Sequence, residues 1–175
     1  MAITIPKAMI DPTAHVDPKV RVSDGCVIGP NVQILGKVSL KHNVRIEPNT
    51  VIYGPVEVGL GSYIGPNSVV GYPSRQGLHE VLTERSLSPK LDKGRPAILG
   101  SGVLLRSNCV VYEDVTIGDN VQFGHNVMVR ENTQIGDDTL VGTETVVDGS
   151  TRIGRNVSIQ TGVYIPTNTE IEDHV

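Results

Sequence analysis

The sequence predicts an all-β fold in which one chain winds through about eight triangular coils of short parallel strands, and two observations predict it. A large apolar residue stands at every sixth position, from Ile10 to Val70 and again from Leu99 to Ile171. Two residues before each of them stands a small residue, always Ala, Val, Cys, Ser or Thr. Because alternate residues of a strand face the same side, each small and large pair points inward together. Each six-residue unit therefore predicts one short strand and one corner.

The corners have a pattern of their own. The third position after each large residue is Asn, Asp or Gly in most repeats, and these residues tolerate a positive φ. Proline often stands directly before that position, as Pro30, Pro48 and Pro66 do, which is typical of tight turns. Three units make one coil, so strands 18 residues apart are expected to stack. A period of six does not keep residues on one face of an α-helix, which excludes a helical interpretation.

The repeat also predicts the domain organisation. We expect residues 1–175 to form a single domain, with coils at 8–70 and 97–175 and an inserted loop at 71–96. The loop is expected to protrude from one corner at about 71–98, because the repeat resumes on the next face. Cys26 and Cys109 both occupy small inward positions, so we interpret them as core residues.

Composition limits the partners. A net charge of −4 and a pI near 5.7 provide no basic face for a phosphate backbone, so no nucleic acid partner is expected. No apolar run approaches the ~20 residues of a membrane span, and residues 1–5 lack the apolar region of a signal peptide. The expected location is therefore the cytoplasm, without membrane attachment.

A family resemblance rests on pairs of isoleucine and glycine at the ends of strands. The chain resembles the bacterial transferase hexapeptide family over nearly its whole length, through Ile28-Gly29, Ile64-Gly65, Ile117-Gly118, Ile135-Gly136 and Ile153-Gly154. This resemblance implies a left-handed β-helix, a property that the period alone does not show. The segment GHNVMVRENTQIGDDTLVGTETVVD, from Gly124 to Asp148, resembles acetyltransferases of nucleotide-activated amino sugars.

The resemblance implies an acyl-CoA-dependent acyltransferase. It implies acetyl-CoA as co-substrate, a sugar or nucleotide sugar as small-molecule acceptor, and acetyl transfer to an amino group. It also implies a homotrimer in which acyl-CoA lies in the cleft between neighbouring subunits. No metal is expected.

Two residues are candidates for the base of acyl transfer, which needs a group that takes a proton from the nucleophile. His125 stands at a corner of the later coils, two residues after the inward Phe123. Glu131 holds the same corner position one repeat later, where related acyltransferases of lipid A precursors and nucleotide-linked 4-amino sugars have a histidine. Either residue could hold the base role. If the amine arrives neutral, a carboxylate could only orient it, or no protein base is needed.

Other corner residues are candidates for binding. Ser107, Thr143 and Thr161 stack above and below His125 at intervals of one coil and could line a pantetheine arm. The residues predicted to bind the cofactor are Gly124, Gly142, Thr143 and Thr161. The residues predicted to bind the substrate are Arg106, Asn108, Asn126, Arg130 and Asn132. Each of them is equally explained as an ordinary corner residue.

The loop is locally basic, which suits the phosphates of CoA or of a nucleotide sugar. Its basic side chains are Arg75, His79, Arg85, Lys90, Lys93 and Arg95. Face counting places the loop one corner away from His125, so in a trimer it is expected to close over a neighbour's site.

Three alternatives remain open. The first is acetylation of a hydroxyl group of a sugar or other small molecule. The second is a non-catalytic scaffold or assembly protein, since a stacked β-helix is stable without an active site. The third is a γ-type carbonic anhydrase, which needs histidines on zinc, and His125 has no partner histidine nearby in the sequence.

Overall fold

The computed structural model describes residues 7–83 and 94–175, and it is built from very short strands. One helix, α1 (Arg75–Thr83), lies between β11 and β12. In chain order the strands are β1 (Met9–Ile10), β2 (His15–Val16), β3 (Arg21–Val22), β4 (Val27–Ile28), β5 (Gln33–Leu35), β6 (Val38–Leu40), β7 (Arg45–Ile46), β8 (Val51–Tyr53), β9 (Val56–Val58), β10 (Tyr63–Ile64), β11 (Val69–Tyr72), β12 (Ala97–Leu99), β13 (Leu104–Leu105), β14 (Val110–Tyr112), β15 (Val115–Ile117), β16 (Gln122–Phe123), β17 (Met128–Val129), β18 (Thr133–Ile135), β19 (Leu140–Val141), β20 (Val146–Val147), β21 (Arg152–Ile153), β22 (Ser158–Ile159), β23 (Tyr164–Ile165) and β24 (Glu170–Ile171).

Every third strand belongs to the same sheet, and all pairings are parallel. Sheet A runs β1-β4-β7-β10-β13-β16-β19-β22, sheet B runs β2-β5-β8-β11-β14-β17-β20-β23, and sheet C runs β3-β6-β9-β12-β15-β18-β21-β24. The three sheets form the faces of a left-handed parallel β-helix of about eight coils, which confirms the predicted fold class. The part of the chain described here contains no helix long and apolar enough to cross a membrane.

The core consists of the inward pairs. Large residues such as Ile46, Leu105 and Phe123 are almost completely buried. The small positions hold polar side chains that find partners within the stack: the Thr50 hydroxyl donates to the Gly65 carbonyl at 3.1 Å and the Ser62 hydroxyl donates to the Gly100 carbonyl at 2.9 Å. A hydroxyl can therefore replace a methyl group in this core without leaving an unsatisfied polar atom.

Both cysteines lie in the core, as predicted, and neither forms a disulfide. The Cys109 thiol donates to the carbonyl oxygen of Gly124 at 3.3 Å. Burial raises the pKa of the Cys109 thiol to about 11. The thiol therefore stays protonated at neutral pH and acts as a small core residue.

The corner pattern is also confirmed. Left-handed φ values of 54° to 63° occur at the predicted corner asparagines, which are Asn31, Asn43, Asn49, Asn67, Asn108, Asn120, Asn126, Asn132, Asn156 and Asn168. Their side chains form ladders between coils in places, as where an Asn31 amide donates to Asn49 at 3.3 Å and Asn49 donates to Asn67 at 3.2 Å. The backbone therefore requires most of these residues, whatever else they do.

The inserted segment contains a helix, where the sequence predicted only a loop. The Ser74 side chain caps α1 by accepting from the Gly77 amide at 3.4 Å. Glu113 of the coil above fixes this cap, because its carboxylate accepts from the Ser74 amide at 2.8 Å. Of the predicted basic loop residues, Arg85, Lys90 and Lys93 lie outside the described residues.

Candidate functional site

The predicted site residues lie at two corners, one on each side of sheet B. The histidine corner joins sheet A to sheet B and comprises residues 106–108, 124–126, 142–144 and 160–162. The loop corner joins sheet B to sheet C, comprises residues 112–114, 130–132 and 148–150, and is the corner from which the insertion leaves. Within one chain, strand β17 of sheet B separates His125 from Glu131. The two candidate bases therefore belong to different environments.

At the histidine corner, polar side chains of successive coils form a ladder around His125. The Ser107 Oγ lies 2.6 Å from the His125 Nδ1, and the His125 amide donates to the Thr143 Oγ1 at 3.2 Å. The imidazole is exposed, and the bond to Ser107 orients its ring. When Nδ1 carries the proton and donates to Ser107, Nε2 keeps its lone pair, which is the form that a general base needs.

The glycines of this corner have a structural role that the sequence analysis did not identify. A Cβ on Gly124 would lie 2.4 Å from the Thr143 nitrogen, and a Cβ on Gly142 would lie 2.5 Å from the Thr161 nitrogen. Both glycines therefore let one coil stack directly on the next. Close approach of a ligand to Gly124 and Gly142 stays a prediction, as does a binding role for the exposed Thr161.

The remaining predicted residues of this corner lie where the turn requires them. Asn108 and Asn126 have φ values of 61° and 55°, and their backbone amides donate to the corner of the preceding coil. The Arg106 side chain is exposed beside Ser107. Arg106 and Asn108 flank Ser107, which contacts the imidazole from the preceding coil, and Asn126 directly follows His125. The structure therefore groups the predicted residues 106, 108 and 126 with His125.

At the loop corner, Arg130 is the centre of a charged network. Its guanidinium bonds to both carboxylate oxygens of Glu131, at 2.9 and 3.3 Å, and to the Asp148 carboxylate at 3.0 Å. The Tyr164 hydroxyl donates to the other oxygen of Asp148 at 3.0 Å. Asn132 belongs to the turn, with a φ of 58°, and its side chain donates to Ser150 at 2.9 Å.

Tyrosines form a column below this network. The rings of Tyr53 and Tyr72 are 6.5 Å apart, those of Tyr72 and Tyr112 are 5.0 Å apart, and both pairs are edge to face. The Arg130 Cζ lies 5.7 Å from the centre of the Tyr112 ring. Each of the three tyrosines is the last residue of a strand of sheet B. Tyr72 stands one position later in its repeat than Tyr53 and Tyr112, and a register shift after Val70 pairs it with Tyr112, so the repeat pattern did not predict this column.

Helix α1 separates two cavities at the loop corner. One has a volume of about 460 Å³ and is lined by Gln76, Gly77, Glu80 and Val81 of the helix together with Glu113, Asp114, Glu131 and Asn132 of the coils, among others. The other has a volume of about 470 Å³ and is lined by Arg75, Leu78, His79, Leu82, Tyr112 and Arg130. The helix residues that line the first cavity and those that line the second lie on opposite faces of α1.

The outward face of sheet B is apolar over five successive coils. Its outward positions, paired in register from strand to strand, are Val51, Val69, Val110, Met128 and Val146. The matching positions of sheet C are Glu57, Ile98, Thr116, Gln134 and Arg152. The inward positions of the repeat, from which the fold was predicted, give no sign of this apolar face.

Across residues 7–83 and 94–175, no three His, Cys, Asp or Glu side chains come together in a way that could hold a metal ion.

Comparisons with known proteins relate the chain to two sequence families. The family model described as the GMPPB C-terminal domain matches residues 5–122, and the model for six bacterial transferase hexapeptide repeats matches residues 114–149 and 132–167. No curated protein matches by sequence.

Several solved structures share the fold. LpxA from Acinetobacter baumannii is 23% identical with a TM-score of 0.50, and the match covers 91% of this chain and 65% of that one. UDP-N-acetylglucosamine acyltransferase from Bacteroides fragilis is 17% identical with a TM-score of 0.55, and the match covers 95% of this chain and 70% of that one. UDP-N-acetylglucosamine acyltransferase from Francisella novicida is 16% identical with a TM-score of 0.59, and the match covers 90% of this chain and 62% of that one. The chain thus spans slightly less than two thirds of the Acinetobacter and Francisella proteins.

Proposed function

Because the chain belongs to the GMPPB C-terminal domain family and carries bacterial transferase hexapeptide repeats, we propose that it is an acyl-CoA-dependent acyltransferase acting on a nucleotide-linked sugar. The proposed reaction is acetyl transfer from acetyl-CoA to an amino group of the sugar. The names of the solved structures with this fold, which include UDP-N-acetylglucosamine acyltransferases, support the class of acceptor. The observation that carries the proposal is the ladder of Ser107, His125 and Thr143 at an exposed corner.

In the proposed mechanism, the amine nitrogen attacks the thioester carbonyl carbon and forms a tetrahedral intermediate. The Nε2 atom of His125 takes the proton that the amine loses. The C–S bond then breaks, the acetyl group stays on the nitrogen, and the proton passes to the CoA thiolate. Ser107 contributes by holding the ring through Nδ1, so that Nε2 faces the acceptor.

The contacts of Glu131 favour His125 as the base. Both carboxylate oxygens of Glu131 accept bonds from Arg130, whereas the Nε2 of His125 lies on an exposed ring. A carboxylate held on both oxygens by a guanidinium is poorly placed to take a proton from a substrate. We therefore assign Glu131 the role of positioning Arg130.

We further propose a homotrimer in which the apolar face of sheet B points toward the threefold axis. In such a cyclic arrangement, the histidine corner of one subunit meets the loop corner of the next, because these corners are the two edges of sheet B. The five apolar side chains of that face support this orientation, since the equivalent positions of sheet C are mostly polar. The site would then combine His125 of one chain with helix α1 of its neighbour.

A second candidate is an assembly domain without catalysis of its own. The matching family is named for a C-terminal domain. The apolar face of sheet B would serve such a role without any site at the histidine corner.

Calorimetric titration with acetyl-CoA, combined with steady-state assays on amino-sugar nucleotides, tests the proposal. We expect saturable binding, and we expect His125→Ala to lower kcat by about 100-fold to 10,000-fold with little change in KM, because only proton transfer is lost. His42→Ala removes another exposed corner histidine in an early coil and is the matched control.

Two other results would contradict the proposal. Absence of acetyl-CoA binding at millimolar concentration would favour the assembly domain. A loss of activity in Glu131→Gln that exceeds the loss in His125→Ala would reverse the assignment of the base. Acceptors that carry a hydroxyl in place of the amino group, assayed in parallel, identify the accepting atom.

A further inference from the structure

One face of helix α1 forms a cavity together with Tyr112 and Arg130. Arg75, Leu78, His79 and Leu82 follow the spacing of a single helical face, and all of them line the cavity of about 470 Å³. Leu82 is 81% exposed, and within the described residues it lies on the apolar part of this cavity wall. The wall opposite the helix consists of Tyr112 and Arg130.

The contacts of Arg130 decide what this wall can bind. Glu131 and Asp148 occupy the Nε, Nη1 and Nη2 atoms, so little of the guanidinium edge is left to hold a phosphate. The Arg130 Cζ lies over the Tyr112 ring, 5.7 Å from its centre. A fixed guanidinium over a phenol ring forms a planar cationic and aromatic surface, which favours a flat aromatic ligand.

The charges along the cavity favour an anionic group on the same ligand. Arg75 and His79 are exposed on the helix, and the described lining of this cavity includes no carboxylate. The cavity on the opposite face of α1 has the reverse character, because Glu80, Glu113, Asp114 and Glu131 line it. Phosphates are therefore attracted to one side of the helix and repelled from the other.

We propose that the cavity of Arg75, Leu78, His79, Leu82, Tyr112 and Arg130 binds the nucleoside diphosphate group of a substrate. The base packs against Tyr112 and Arg130 and is covered by Leu78 and Leu82, while Arg75 and His79 contact the diphosphate. This inference rests on the proposed function and deepens it, because it names the group by which a substrate is held. The nucleotide of an acceptor sugar and the adenosine diphosphate part of acyl-CoA share this chemistry.

Calorimetric titration of the full chain with UDP and with ADP tests the site without any turnover. We expect Arg75→Gln to weaken binding of the preferred nucleotide about tenfold, which is the usual effect of losing one charge-assisted contact. Tyr112→Leu keeps an apolar side chain but removes the aromatic ring, and it should weaken binding of the nucleotide while leaving binding of inorganic pyrophosphate unchanged. Arg95→Gln is the matched control, because Arg95 is exposed at the same corner but lines the acidic cavity.

The outcomes separate this inference from the proposed function. If neither nucleotide binds, or if Arg75→Gln and Tyr112→Leu bind as the unmodified chain does, the cavity is not the nucleotide site, even when acetyl-CoA still binds and His125→Ala is inactive. If UDP binds and Arg75→Gln raises only the KM of the nucleotide sugar, the source is the acceptor. If ADP binds and the KM of acetyl-CoA rises, the source is CoA.

Discussion

The histidine corner and the loop corner begin from the same six-residue unit and end as different surfaces. At the histidine corner, every coil turns within three residues, and polar groups of Ser107, His125 and Thr143 contact each other from coil to coil. At the loop corner, the chain leaves the stack after Tyr72, and a charged network around Arg130 faces helix α1. The uninterrupted corner holds one imidazole in place, whereas the interrupted corner creates two cavities.

This difference shows how a periodic fold acquires a site. Stacking fixes side chains at one coil spacing and with one orientation, which suits a group that must be placed accurately, such as a base. The two cavities beside helix α1 depend on an interruption of the stack, and in this chain that interruption lies at the neighbouring corner. In the proposed trimer the two corners form one site, because the edges of sheet B meet between neighbouring subunits.

The largest expected effect comes from separating the subunits. Val110→Lys places a charge on the apolar face of sheet B, and we expect the trimer to dissociate to monomers and to lose activity, because a buried ammonium without a partner is strongly unfavourable. Thr116→Lys places the same charge on the outward face of sheet C in the next strand and should leave the trimer intact. Light scattering after gel filtration measures both. A trimeric Val110→Lys would show that sheet B is not the contact face.

The rigidity of the histidine corner can be tested with a pair of glycines. A Cβ at Gly124 would lie within 2.4 to 2.7 Å of Thr143, so we expect Gly124→Ala to lower the free energy of unfolding by about 3 kcal/mol. Gly162, two coils above, has nothing within 4 Å of an added Cβ but has a φ of 72°. Gly162→Ala should therefore cost only about 1 kcal/mol. Urea titration measures the free energy of unfolding of both variants. A larger loss of stability in Gly162→Ala than in Gly124→Ala would mean that the stacked coils shift easily to accommodate an added Cβ.

Sequence predicted the periodic part of the fold well, because each position of the repeat has one dominant physical requirement. Inward positions must be apolar or small, and the turn positions must accept a left-handed φ, so Cys109 and Asn126 were both interpreted correctly. The outward apolar face was missed for the opposite reason. The residue type at an outward position depends on what that surface contacts, and the six-residue repeat does not restrict it. Val110 and Met128 are recognisable as part of one apolar face only when every third repeat is compared.

The candidate site was less predictable, because the sequence gives a corner position but not the contacts made there. Glu131 and His125 occupy equivalent positions in successive repeats, yet only Glu131 is held by an arginine on both carboxylate oxygens. That contact depends on the rotamer of Arg130 and on Asp148 one coil later. Helix α1 was also missed, since its nine residues contain too few turns for a periodic signal and its cap depends on Glu113.

The smallest expected effect concerns the acid response of the loop corner. Burial acts to raise the pKa of Asp148, but hydrogen bonds from the Gly149 amide and from Tyr164 and Thr167, together with the charge of Arg130, outweigh it and lower that pKa from its ordinary value. A carboxyl group whose pKa is lowered by folding stabilises the protein above its unfolded pKa of about 3.9, and this contribution is lost as the pH falls through the folded pKa.

Asp148→Asn should therefore lower the free energy of unfolding at pH 7 by no more than about 1 kcal/mol, because the network is partly exposed. The difference from the unmodified chain should close below pH 4. Glu144→Gln removes an exposed carboxylate at the histidine corner and is the matched control, for which we expect little difference at any pH. Thermal melts between pH 2.5 and pH 7 measure both variants. A difference at Asp148 that stays constant with pH would mean that the side chain contributes through packing and that its charge is not needed to hold Arg130.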